Sequence, residues 1–128
     1  MYRFFKYAVS IVFLVLVTTH MASAQSLKDF YMQIGSVAGL AESCYRSDAI
    51  PNKLTVYVRK LLTNDPSLRP IMKELINDYK EAETHAIVSH TIWDATNQDY
   101  TDKSFDCNNE SDVAKIKQLE TLLLQGFN

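Results

Sequence analysis

The two cysteines of this chain, Cys44 and Cys107, stand 63 positions apart. A bridge between them would constrain the fold more than any other sequence feature, because it ties two distant stretches together. Closing such a loop removes unfolded-state entropy worth on the order of 4 kcal/mol. That is a large share of the roughly 5–15 kcal/mol net stability of a small domain. A free thiol pair or an intermolecular bridge is the competing reading. No C-x-x-C occurs, so a thioredoxin-type redox role has no support.

The choice depends on the compartment, and the N-terminus addresses it. Arg3 and Lys6 precede the apolar run AVSIVFLVLV, and Ala22-Ser23-Ala24 follows. A positive start, a short apolar core and an A-x-A end make a secretory signal, with cleavage expected between Ala24 and Gln25. The run holds about 10 residues where a membrane span needs about 20. The residue directly after the cleavage site is Gln25 and not a cysteine, so a lipid anchor is not expected. We therefore divide the chain into a signal peptide, 1–24, and a helical domain, 25–128. An oxidising destination turns the even cysteine count into an expected intramolecular disulfide. The localisation expected is periplasmic or secreted, without stable membrane insertion after cleavage.

With 128 residues, the chain has room for one domain. Removing Arg3 and Lys6 leaves 11 of the 13 basic residues against 15 acids, a mature net charge of −4. A nucleic-acid binder needs a basic footprint and is not expected.

Apolar positions recur at spacings of three and four through most of the remainder, the signature of helices. Leu27, Phe30, Tyr31, Ile34, Val37, Ala38, Ala41, Cys44 and Tyr45 form a first stripe, with Ser26 as its N-cap. Gly35 and Gly39 flank it, and close packing of a neighbouring helix is their expected use. Ile50, Leu54, Tyr57, Val58, Leu61 and Leu62 repeat the pattern in a second helix, whose first turn Pro51 suits, although Thr55-Val56-Tyr57-Val58 has strand composition. After the break at Asn64-Asp65-Pro66, a third helix is expected to start between Ser67 and Pro70. Its face, from Leu68 through Leu75, Tyr79, Ala82, Ala86 and His90 to Trp93, predicts about 26 residues and about 40 Å. Residues 97–109 read as a polar loop. Val113, Ile116, Leu119, Leu123 and Leu124 predict a last helix, capped by Asn109 or Ser111 and stopped by Gly126. The expected fold is all-α, a small bundle of about four helices. In an up-down-up-down order the two cysteines fall at the same pole, which supports the bridge.

Chemistry is sparse. His85 and His90 are five apart and diverge on a helix; Glu81 with His85 and His90 with Asp94 do have i,i+4 spacing, each a possible two-ligand edge without a third ligand. H-E-x-x-H, E-x-x-H, G-x-S-x-G and phosphate-binding glycine loops are absent. Ser89 and His90 diverge as neighbours. His85, His90, Met32 and Met72 could ligate haem in a helical core, but C-x-x-C-H is missing. We expect no catalytic residues, no metal site and no cofactor. Asn109-Glu110-Ser111 matches the N-glycosylation pattern, which matters only in a eukaryotic secretory route.

The end of the third helix is apolar over a wide arc. Ile87, Val88, Ile92 and Trp93 are the expected partner-binding residues, with Trp93 as anchor. The sequence thus reads as a small, exported, non-catalytic protein that acts by binding another protein, such as an immunity or inhibitor protein or an accessory part of an envelope secretion system. The alternatives are a periplasmic acid-stress chaperone and a secreted factor acting outside the cell.

Overall fold

The computed structural model describes residues 20–127, with side chains from Leu27 onward. The expected signal lies outside the described residues except for 20–24. Among the described residues there are four helices: α1, His20–Tyr45; α2, Ala49–Asn64; α3, Arg69–Ser89; and α4, Glu110–Gln125. A 3-10 turn, Pro66–Leu68, joins α2 to α3, and strands β1, Trp93–Asp94, and β2, Asp99–Tyr100, form a short antiparallel hairpin. Ser26 does not cap α1 as expected. With the preceding residues attached, the helix runs continuously through it.

α1 is the central element. From Tyr31 to Ala41 all its residues are buried except the half-buried Gln33. A helix touched on one side would bury only its stripe, so this one is covered from several directions. Its longest contact is with α3. A Cβ at Gly35 would overlap the Tyr79 carbonyl oxygen, and one at Gly39 would sit 2.5 Å from the Glu83 carbonyl oxygen. The two backbones therefore run parallel and touch, as the paired glycines predicted. The Ala86 side chain also lies against Gly39, and Ala38, Ala82 and Ala86 are all almost fully buried. α4 runs antiparallel to α1: Cys107 bridges Cys44 at one end (Cα–Cα 4.8 Å), and Phe127 packs on Phe30 at the other. The expected disulfide is present.

Glu120 of α4 fastens the C-terminal end of α1 further. Glu120 accepts from the Tyr45 hydroxyl at 3.0 Å and from the Ser47 hydroxyl at 2.5 Å, while Lys117 lies over the Tyr45 ring. α2 is a helix, not a strand, and buries Ile50 and Leu54. α4 starts at the predicted cap: Asn109 Oδ1 accepts from the Asp112 amide at 3.0 Å, and Glu110 and Asp112 favour the positive helix end.

The third helix departs from expectation. It stops at Ser89, short of the predicted end near Asn97, because His90 turns left-handed (φ 58°, ψ 37°) and its amide closes on the Ala86 carbonyl. α1 ends in the same manner on Arg46, φ 58°. Both are C′ positions normally held by glycine. The chain then folds back as the hairpin, which covers the Met32–Ser36 side of α1.

Candidate interaction surface

The end of α3 and the hairpin bring together His85, Ser89, Thr91, Trp93 and Tyr100. Ser36, fully buried, supports the junction: its hydroxyl donates to the Met32 carbonyl and accepts the Trp93 amide, both at 3.0 Å. Without it a buried backbone N–H would be left unpaired. Asp29, two residues before the buried stretch, accepts from Trp93 Nε1 and from Gln98 Nε2, each at 3.0 Å. Asp94 caps the hairpin loop by accepting from the Thr96 amide and from Asn97 Nδ2. The hairpin is thus tied to α1 through backbone, indole and loop.

His85 faces this hairpin. Its ring stacks on Tyr100 with centroids 3.5 Å apart and planes 4° apart, and Trp93 meets the same tyrosine edge-on at 5.3 Å. Ser89 Oγ lies 2.9 Å from His85 Nδ1 and 2.7 Å from Thr91 Oγ1, and donates to the His85 carbonyl at 2.8 Å. In the Nδ1–H tautomer the ring donates to Ser89, whose own proton goes to the His85 carbonyl while the Thr91 hydroxyl donates to Ser89. From the sequence Ser89 reads only as the diverging neighbour of His90; the i,i+4 spacing of His85 and Ser89 could have found this pair. The Tyr100 hydroxyl is buried without a partner, and burial, with the charges of Glu81 and Asp99, pushes its pKa up.

The four expected binding residues separate. Trp93 is buried at 8% exposure, and Ile92 is partly buried between core clusters. They lie beyond the end of α3, so they share no helical arc with Ile87 and Val88. Those two stay on the last turn of α3 and are 45% and 81% exposed. His90 and Asp94 are not helical neighbours either. His90 Nδ1–H donates to the Phe105 carbonyl at 3.2 Å, while Asp94 holds its own loop. Among the described residues no group of three or more His, Cys, Asp or Glu side chains could hold a metal ion. Met32 and Met72, the other expected haem-ligand candidates, belong to different core clusters.

Two shallow depressions open on α4. One, about 280 Å³, lies beside Cys107 and Lys117, and the other, about 360 Å³, between Lys53 and Leu124. No described helix is long and apolar enough to cross a membrane. No family model, curated protein or solved structure matches this chain.

Proposed function

We propose that the protein is exported, loses residues 1–24, and acts without catalysis by binding another protein in the periplasm or beyond, as an immunity or inhibitor protein or an accessory part of a secretion system. The observation that carries this reading is the exposure of Val88, 81%, and Ile87, 45%, on a fastened helix end. An exposed aliphatic pair costs little when it sits on a frame that need not be ordered at binding. Here the frame is held by the Ser36–Trp93 and Asp29–Trp93 bonds. The buried Trp93 serves as support of the surface, and Ile87 and Val88 take the contact role.

The test begins with crosslinked capture from the native envelope fraction and identification of the partner. The purified pair is then titrated. Val88→Asp and Ile87→Asp are expected to weaken binding at least tenfold with an unchanged melting temperature. Wild-type affinity in both would refute the assignment. Fractionation and N-terminal sequencing test export, with Gln25 expected as the first residue.

A further inference from the structure

The outer face of α2 carries a pattern that protein binding at the end of α3 does not use. Its exposed positions are Asn52, Lys53, Thr55, Val56, Arg59, Lys60, Thr63 and the terminal Asn64. All three charges are positive, and α2 contains no acid. Among the described residues no carboxylate pairs with them. The two threonine hydroxyls are spent internally, on the Pro51 and Arg59 carbonyls. Asp65, just past the helix, is engaged by the Ser67 amide and hydroxyl. Val56, 52% exposed, lies among the cations. This basic arc stands on a chain whose formal net charge is −2. Six of the fifteen acids stand in residues 94–112, Asp94, Asp99, Asp102, Asp106, Glu110 and Asp112, against Lys103 alone, while the exposed Asp48 precedes the first turn of α2.

We propose that this face of α2 seats anionic phospholipid headgroups and holds the protein peripherally on a membrane surface, with Lys53, Arg59 and Lys60 meeting phosphates and Val56 touching the interface. The charges are complementary and the shape favours lipid over an acidic protein segment. The arc is the convex side of a helix, and the depression beside Lys53 is shallow and shared with Thr121, Leu124 and Gln125. A headgroup layer can wrap a convex cylinder and offer phosphate anywhere along it. The acid-rich segment 94–112 would be repelled by the same surface, which sets the orientation. Adsorption of this kind adds up charge by charge and is screened by salt. It involves no insertion.

The test is co-sedimentation of the full purified protein with vesicles of phosphatidylcholine alone or mixed with phosphatidylglycerol. At about 50 mM salt the protein is expected to pellet with the anionic vesicles only, and at about 500 mM salt to stay in solution. Arg59→Glu with Lys60→Glu is expected to lower partitioning at least about tenfold. The charge-matched pair Lys103→Glu with Lys115→Glu is expected to change it less than about twofold. Far-ultraviolet melts confirm that both variants fold. Failure to pellet with anionic vesicles overturns the proposal, as does equal loss in both charge reversals. Binding to poly-glutamate without binding to vesicles also overturns it and gives the face to an acidic protein.

Discussion

Gly35→Ala sets two effects of opposite sign against each other. Within a helix, alanine is favoured over glycine by about 1 kcal/mol. Helix propensity alone therefore predicts a more stable protein. The structure predicts the reverse. At Gly39 the new Cβ would lie 2.5 Å from a carbonyl oxygen, about 0.9 Å inside ordinary contact, which begins at 3.4 Å, and at Gly35 the overlap is deeper. The obstacle is backbone and has no rotamer to move, so α1 and α3 must separate. Overpacking costs about 1–3 kcal/mol. A rigid backbone obstacle places Gly35→Ala at the upper end, about 3 kcal/mol. Subtracting the propensity gain leaves a net loss of about 2 kcal/mol, or roughly 10 °C in Tm for a domain of this size. Gly39→Ala should behave alike. The double variant should lose less than the sum, because one separation relieves both overlaps. Calorimetric melts of the oxidised protein measure all three. An increase in Tm for Gly35→Ala would refute the close contact between the helices.

Three further outcomes follow from the same structure. Replacing Cys44 and Cys107 together with alanine should cost about 2–4 kcal/mol in denaturant titrations, and the intact wild-type protein should take up no alkylating label before reduction. Tyr100→Phe removes a buried hydroxyl that has no partner, so stability should hold or rise by up to about 1 kcal/mol, whereas a loss in the melt would mean that the hydroxyl is bonded. Glu83 is pushed up by burial, opposed by the Tyr79 hydroxyl and aided by Glu42. Its protonated form therefore favours the fold: that stability is full below its ordinary value of 4.5 and is lost as pH rises through the raised value. Glu83→Gln should accordingly melt slightly higher at about pH 7, by a few tenths of a kcal/mol after solvent screening, with the gap closing near about pH 4. A gap that widens on acidification would reverse the sign of this reasoning.

Periodicity exposed most of this architecture in the sequence because four segments bury apolar faces at helical spacing. The glycines at 35 and 39 pointed to a neighbouring backbone, and Asn109 and Gly126 marked both ends of α4. The ends of α1 and α3 were hidden. Arg46 and His90 take a left-handed conformation that glycine usually announces. Beyond His90 the periodic match of Ala86, His90 and Trp93 continued by coincidence. The β-branched pair Thr91-Ile92, followed by Trp93 and the turn-forming run from Thr96 to Asp99, was the available counter-signal. What decides the hairpin is long-range: Ser36 takes the Trp93 amide and Asp29 the indole, across 57 and 64 positions. Such bonds leave no periodic trace, so the binding arc expected around Ile87, Val88, Ile92 and Trp93 could not be divided into exposed and buried halves beforehand.

The hairpin also gives the molecule a built-in reporter. Trp93 is the single tryptophan of the chain, and its indole rests against Tyr100 while bonded to a carboxylate on the central helix. Its emission will track the seating of residues 93–100, whereas far-ultraviolet ellipticity follows the helices. Fluorescence that shifts before ellipticity falls would reveal a latch that opens while the body of the protein stays folded.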